Sequence, residues 1–533
     1  MPFATARTVS LQGALGHLID VQSDVSPGQV GTTMVGRPDA SLNEARDRCR
    51  MAIINSGLTW PATKRITILL SPADLPKRGT HFDLAIAISV LAADGRLPRS
   101  ALEQVALIGE LTLDGGLRPV EGVLPMVLAA ADRGIRAVFV PEPQAEEAAM
   151  VPDMSVLGVR SLAQVVALLR GDEVPEAPPV AAASGSRLLS WRGEERMEEV
   201  DLADLIGMSD ARYAIEVAAA GGHHLMLSGP KGAGKTSIAE RIPTVLPDLT
   251  PEESLELTAL HSLAGVLDAE SGMIRRPPFL APHHDASKAS LVGGGSGQVR
   301  PGAVSLAHAG VLFLDEFPLF RSDAIEALRQ PLENGDVVVA RTDEQVRLPA
   351  RGMVVLACNP CPCGDYTPAA ATNRCGCKEV KRREYRHKIT GPVADRVDIL
   401  RHVEPLRPHE SRDRLTVPED SASVRLRVER ARQRQRDRYA EVGWRLNAHV
   451  PGAALRDRWP LDPAGRDRLD SDVYDAKITS RGAVRVHRLA WTVHDLGARH
   501  APDRLPGLAE VEVALALRRG DPLPLALLQR QAS

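Results

Sequence analysis

The eight residues Gly229-Pro230-Lys231-Gly232-Ala233-Gly234-Lys235-Thr236 carry the spacing G-x-x-x-x-G-K-[ST], and residues 224–228 before them read as a β-strand. Such a loop cradles phosphate. Its glycines let successive backbone N–H groups turn inward, Lys235 reaches the β- and γ-phosphates, and Thr236 ligates Mg²⁺. The pattern implies binding of ATP or GTP. A helix is expected over 235–242, stopped by Pro243, whose ring and missing N–H do not fit a helix interior. A second apolar run, Val311-Leu312-Phe313-Leu314, ends in Asp315 and Glu316. A buried parallel strand would deliver both acids to the crevice at the strands' carboxyl ends, Asp315 to Mg²⁺ and Glu316 to the attacking water. A third run, residues 353–357, brings Cys358 and Asn359 to the same edge. Asn359 there could sense the γ-phosphate or position the water, or serve as an ordinary turn residue before Pro360.

Placing these residues takes several domains, because 533 residues exceed what one core holds. Residues 1–170 alternate strand-like runs (66–70, 105–108, 137–140) with helical patterns such as 83–93, which is an α/β or α+β pattern. Residues 171–197 have linker character, with Pro175, Pro178 and Pro179 followed by small residues. The nucleotide domain is expected over 198–404. An Arg-rich, all-helical remainder, 405–533, follows Pro405, Pro408 and Pro418. The expected fold is thus multidomain α/β, with an α/β front domain, a P-loop parallel-sheet core and a C-terminal helical lid. A formal net charge of −3 excludes a bulk polycation, so contact with nucleic acid needs a local basic surface or an assembled ring. No apolar run approaches the roughly 18 residues that cross a bilayer, and residues 1–20 lack a basic start followed by an apolar core. The chain reads as cytoplasmic, with no membrane partner.

Five of the six cysteines fall between Cys358 and Cys377. Cys361-Pro362-Cys363, eleven residues, then Cys375-Gly376-Cys377 offers four thiolates in two close pairs, the set a tetrahedral structural Zn²⁺ takes. A redox-sensitive thiol cluster or merely packed cysteines would use the same residues, and Cys358 and Cys49 read as packed. Lys378, Lys381, Arg382, Arg383, Arg386 and Lys388 follow at once with Tyr385 among them, a phosphate-backbone contact or a solvated helix face. His283 and His284 are expected to face opposite sides of an extended segment and not to share a metal. Residues 293–297, rich in glycine, read as a mobile loop. The seven arginines of 425–438 spread charge around a helix, which reads as an exposed lid helix.

Ala281-Pro282-His283-His284, Leu291-Val292-Gly293-Gly294-Gly295, Ser305-Leu306-Ala307-His308 and Leu328-Arg329-Gln330-Pro331-Leu332-Glu333, in this order around the nucleotide motifs, resemble the magnesium-chelatase-like AAA+ ATPases of the YifB/ComM type. The resemblance covers nearly the whole chain. It implies a homo-hexameric ring with ATP between subunits, and it places the 293–297 loop near a central pore. Gly391-Pro392-Val393-Ala394-Asp395-Arg396-Val397-Asp398 matches the family's arginine-finger segment, so Arg396 is the implied trans-acting cation; a local ion pair with Asp395 or Asp398 is the plainer alternative. Thr479-Ser480-Arg481-Gly482 resembles the lid segment with a second sensing arginine, Arg481, although Arg485 and Arg488 share its helical face.

The front domain resembles the Lon protease fold through Pro76-Lys77-Arg78-Gly79-Thr80-His81 and Gly109-Glu110-Leu111-Thr112-Leu113-Asp114-Gly115. Where that fold carries its serine and lysine, this chain has His81 and Leu124, so proteolysis lacks both nucleophile and base. The resemblance implies an ATP-driven motor on single-stranded or branched DNA, most like the ComM branch-migration helicases. Aromatic residues make up only 3%, which favours tracking of the backbone over base stacking. The alternative is the motor subunit of a magnesium-chelatase complex.

Overall fold

Two sheets organise the chain, in a computed structural model that describes residues 3–36, 40–75, 77, 79–180, 200–267, 272–295, 299–340, 345–366, 373–405, 419–497 and 504–524. The front sheet begins with β1 (Phe3–Gln12), β2 (Leu15–Ser26), β3 (Gly31–Val35), β4 (Arg65–Ser71) and β5 (Val105–Leu107). After a separate small pair, β6 (Glu110–Leu111) and β7 (Leu117–Arg118), come β8 (Ala137–Pro141) and β9 (Ser155–Val159). The seven strands run in the order β3-β4-β2-β1-β5-β8-β9, with β1/β2 and β2/β4 antiparallel and the other pairs parallel. In β4 the alternation of the sequence becomes burial, with Ile66, Ile68 and Leu70 facing the core. The expected helix at 83–93 is present as Asp83–Ala93 with every residue buried, packed against β1, β2 and the helix Ala40–Asn55. A helix covered on all sides carries no polar face, and this one has none to spare.

The second sheet consists of β10 (Leu225–Ser228), β11 (Phe279–Leu280), β12 (Val311–Leu314), β15 (Met353–Cys358) and β16 (Ile399–His402), in the order β11-β12-β15-β10-β16 with every pair parallel. Between β12 and β15 the chain adds an antiparallel hairpin, β13 (Asp336–Ala340) with β14 (Gln345–Pro349). Its Val346 and Leu348 share a small apolar cluster with Leu260, Leu263 and the front-domain residue Leu11. Glu147 of the front domain accepts hydrogen bonds from the Ser262 hydroxyl at 2.6 Å and the Leu124 N–H at 2.9 Å, so a buried carboxylate also ties the two regions. Burial pushes that carboxyl above its ordinary range. Leu124 itself is fully buried, and His81 is buried with Nε2 2.8 Å from the Val9 carbonyl oxygen.

After β16 the described residues form only helices, and these share one buried cluster with the second sheet, Val424, Val428, Leu489 and Val511 belonging with Ile215, Leu227 and Val355. The expectation of an exposed arginine helix fails. In the helix Ser421–Tyr439, Arg425 donates to the Thr244 carbonyl, Arg432 to the Ala219 carbonyl, Arg427 to Glu216 and Glu419, and Arg434 and Arg438 to the Asp495 carbonyl and carboxylate. Burial lowers the Arg432 guanidinium to about 10. Five of the seven arginines therefore dock the helix onto its neighbours. Among the described residues, no helix is long and apolar enough to cross a membrane.

Candidate active site

The strand order explains how residues distant in sequence converge. All five strands are parallel, so the segments leaving their carboxyl ends lie along one edge, and β15 stands between β10 and β12. That puts Asn359 between the 229–236 loop and the Asp315-Glu316 pair.

The loop leaves β10 tightly. A Cβ at Gly229 would sit 2.2 Å from the Val403 carbonyl oxygen, so only glycine passes there, and Gly234 (φ +87°) turns the chain into the helix Lys235–Glu240. This helix ends two residues short of the expected 242. Pro243 instead sits in the first turn of a separate short helix, Ile242–Val245, where its missing N–H is not needed. Lys235 Nζ donates to the Gly229 carbonyl at 2.8 Å, the Pro230 carbonyl at 2.9 Å and Asn359 Oδ1 at 3.0 Å. The side chain is buried, and desolvation lowers its pKa. An ammonium held by three neutral acceptors at the mouth of a phosphate loop is placed to exchange them for an anion.

Opposite it, Thr236 Oγ1 donates to Asp315 Oδ2 at 3.0 Å, while Asp315 Oδ1 accepts the Glu316 N–H at 2.8 Å. The hydroxyl and carboxylate expected to share Mg²⁺ thus already touch, a donor set of hard oxygens that suits this ion. Glu316 adopts φ +49°, ψ +38°, a left-handed conformation that costs a non-glycine residue about 1–2 kcal/mol. Its carboxylate is partly exposed, with His284 Nδ1 4.0 Å from Oε2.

That histidine corrects one expectation. His283 and His284 do not point apart, since their ring centroids are 4.1 Å apart and their nitrogens group with the Asp285 carboxylate. The segment bends here instead of running extended. Of the glycine-rich loop, Gly294 and Arg300 exchange backbone hydrogen bonds of 3.1 and 2.9 Å, which fixes its base; Gly297 lies outside the described residues.

Arg396 lies at the other edge. It precedes β16, so it belongs to the amino ends of the strands, and its partner is neither Asp395 nor Asp398 but Glu333, whose Oε2 accepts from Nε at 3.0 Å and Nη2 at 2.7 Å. These hydrogen bonds hold the Glu333 carboxyl below its ordinary range, and the charges of Arg396, Arg481 and Arg485 add to the effect. Glu333 ends the Leu328–Glu333 motif, and nothing in the sequence but its place in that motif marks it for a role. The three lid candidates separate cleanly. Arg485 pairs with Asp398 at 3.0 Å and Arg488 donates to the Val450 carbonyl at 2.8 Å, whereas Arg481 opens the helix Ser480–Leu496 exposed, near Glu333 and hence near Arg396. Burial alone would raise the Asp398 carboxyl, but His223, whose Nδ1 lies 3.7 Å from Oδ2, and the Arg485 charge keep it well below the usual range.

The four cysteine sulfurs come together. Cys361 Sγ is 3.2 Å from Cys363 Sγ, Cys375 Sγ is 3.6 Å from each of them, and all four, Cys377 included, lie within 4.8 Å of one another as free thiols. Sulfurs about 2.3 Å from a tetrahedral Zn²⁺ are about 3.8 Å apart, so the set fits that ion. A backbone hydrogen bond from Asp365 and the neighbouring Cys361 thiol lower Cys363 to about 7, toward the thiolate that metals bind. Cys49 and Cys358 are buried elsewhere in apolar surroundings, which pushes the Cys358 thiol up to about 12. The knuckle rests on the phosphate loop, because a Cβ built at Gly364 would be 3.2 Å from Lys231 Cβ.

Three stretches match magnesium-chelatase families: residues 201–411 match magnesium chelatase, subunit ChlI; residues 21–144 match subunit ChlI of Mg-chelatase; and residues 418–518 match the magnesium chelatase subunit ChlI C-terminal family. The chain is 43% identical to an uncharacterized protein of Mycobacterium tuberculosis over 97% of its own length and 99% of the relative's. It is 39% identical to Competence protein ComM of Haemophilus influenzae and 38% identical to the uncharacterized protein YifB of Escherichia coli, in each case over 93% of this chain and 94% of the other. A Lon protease of Azorhizobium caulinodans is 27% identical over 30% of this chain and 19% of its own.

Proposed function

The chain belongs to the magnesium-chelatase-like proteins of the YifB/ComM type, and we propose that it is an ATP-hydrolysing AAA+ ring motor, a homo-hexamer that engages single-stranded or branched DNA in the cytoplasm and drives branch migration or duplex unwinding. The observation that carries this reading is the two-edged sheet. One edge gathers Lys235, Thr236, Asp315, Glu316 and Asn359, and the other presents Arg396 and Arg481.

Residues 229–236 receive the triphosphate on their inward backbone N–H groups, and Lys235 leaves its loop carbonyls for the β- and γ-phosphates. Thr236 Oγ1 and Asp315 hold Mg²⁺, which neutralises charge on the phosphate oxygens when bound. Glu316 orients the attacking water and polarises it, with Asn359 beside it. Arg396 of one subunit completes the site of the next, where positive charge is worth most as the bond to the γ-phosphate breaks, and Arg481 reads nucleotide from the lid. Cys361, Cys363, Cys375 and Cys377 hold a structural Zn²⁺.

The relative named Competence protein ComM, similar over most of both chains, supports DNA as the substrate. The chelatase reading is supported by the family description, and a partner carrying the porphyrin site would then stimulate turnover in place of DNA. ATPase activity of the purified protein, measured with and without single-stranded or branched DNA and followed by a branch-migration assay, separates the two. The expected result is stimulation that weakens with salt as phosphate contacts are lost. No stimulation and no strand movement across salt conditions would overturn the DNA reading. Metal analysis tests the cysteines, with about one zinc per chain expected and less than about 0.5 opposing a structural site.

A further inference from the structure

We propose that the helix Glu379–Ile389 is a basic strut through which bound nucleic-acid phosphates act on the catalytic edge, a reading that rests on DNA being the substrate. Its position is unusual for a charged surface helix. Tyr385 is buried, and its hydroxyl oxygen accepts the Asn359 N–H at 3.3 Å, on the residue whose Oδ1 holds Lys235. Three residues on, Lys388 Nζ donates to the Pro318 carbonyl at 3.0 Å and the Phe320 carbonyl at 3.2 Å, in the segment immediately after Glu316. Tyr385 and Lys388 share one face of the helix. That face is therefore pinned to both strands that deliver the hydrolytic residues, through β15 at Asn359 and through β12 at the turn behind Glu316.

The remaining surface is cationic. Residues 373–389 hold seven Lys and Arg side chains against two glutamates. Arg382 and Arg386, one turn apart, both lie over the Tyr366 ring, at 4.7 and 5.0 Å from its centroid, and neither has a carboxylate partner among the described residues. Contact with the ring holds both guanidinium groups without a carboxylate, so their N–H groups can fork a phosphate. The cysteine knuckle holds the amino-terminal end of this helix and also rests against Lys231, so the helix cannot shift without moving the loop or Asn359. A phosphate backbone drawing on Arg382 and Arg386 therefore bears on both the γ-phosphate-sensing position and the water-orienting glutamate.

The test uses the full-length chain and a fluorescently labelled single-stranded oligonucleotide, measuring DNA affinity by anisotropy, nucleotide affinity, and ATP turnover with and without DNA. Tyr385→Phe removes only the hydroxyl that meets Asn359. It is expected to bind DNA and nucleotide within about twofold of wild type while DNA-stimulated kcat falls about tenfold. Lys388→Met, which releases the other anchor, gives the same split. Arg382→Glu with Arg386→Glu weakens DNA binding at least about tenfold and lowers the salt slope by about two. Undiminished stimulation in both Tyr385→Phe and Lys388→Met overturns the coupling alone. Unchanged DNA affinity in the double reversal overturns the contact. A wild-type protein that neither binds nor responds to DNA overturns the DNA reading beneath them.

Discussion

The two edges of the nucleotide sheet differ in how their charges are balanced. At the carboxyl edge the cation Lys235 rests on neutral oxygens of Gly229, Pro230 and Asn359, and the carboxylates of Asp315 and Glu316 are partly exposed. At the amino edge Arg396 is held by a full carboxylate, Glu333, and Arg485 by Asp398. The lysine of the first edge has only neutral hydrogen-bond partners, with the two carboxylates nearby; the arginines of the second are directly paired with carboxylates. A lysine bonded only to neutral oxygens can exchange them for an anion, whereas Arg396 must leave a carboxylate before it can bind another. A parallel sheet separates its amino and carboxyl ends by the length of its strands, so Arg396 and the 229–236 loop of one chain lie at opposite edges.

The largest expected effect comes from the carboxyl edge. Lys235→Ala should abolish detectable nucleotide binding and turnover, read by fluorescent-nucleotide titration; retained turnover would remove the phosphate loop from the mechanism. Next, Arg396→Ala should lower turnover by about 10³ while leaving nucleotide affinity nearly unchanged, the scale associated with an arginine supplied in trans. Mixing the two variants probes both edges at once. Lys235→Ala and Arg396→Ala chains, each inactive, should regain activity together, because some interfaces then pair an intact loop with an intact arginine. Mixtures that stay inactive under conditions where the two variants exchange subunits would break the assignment of the edges to different subunits. Glu316→Gln should lower turnover about 10²-fold or more while bound ATP accumulates, which quenched-flow product analysis would read. Full turnover in this variant would remove Glu316 from the water.

What could be read from the sequence divides along the same line. The phosphate loop is local, since its eight residues carry their own spacing, and the acids declare themselves by ending an apolar run. The strand runs at 66–70, 105–108, 137–140, 311–314 and 353–357 were legible for the same reason, as β4, β5, β8, β12 and β15. Arg396 and Glu333 stand 63 residues apart, and nothing in either neighbourhood announces the pair. The arginine helix misled for a related reason. Its charges suggested solvent, but Thr244, Ala219 and Asp495 accept through backbone carbonyls, which every residue possesses and no pattern marks. The histidines misled through an assumed extended backbone, and Pro243 because a proline that ends one helix can begin the next.

The smallest effect bears on whether Glu333 is a holder or a participant. Its pair with Arg396 is 13% exposed on the arginine side and 48% on the glutamate side, so solvent screens it, and a pair of this kind contributes about 0.5–1 kcal/mol. Glu333→Gln keeps the shape and removes the charge. If Glu333 only holds Arg396, the neighbour's phosphate no longer competes with a carboxylate, and half-maximal turnover should be reached at about two- to fivefold lower ATP or protein concentration, with kcat little changed. The same substitution leaves Arg396 without its carboxylate and removes a negative charge near Arg481 and Arg485, so the free subunit should melt slightly earlier while the nucleotide-bound ring does not. A fall in kcat approaching that of Arg396→Ala would mean instead that Glu333 aims the guanidinium at the transition state. The amino edge would then be a positioned catalytic unit, and the contrast between an edge that waits for charge and an edge that stores it would give way to two halves of equal precision.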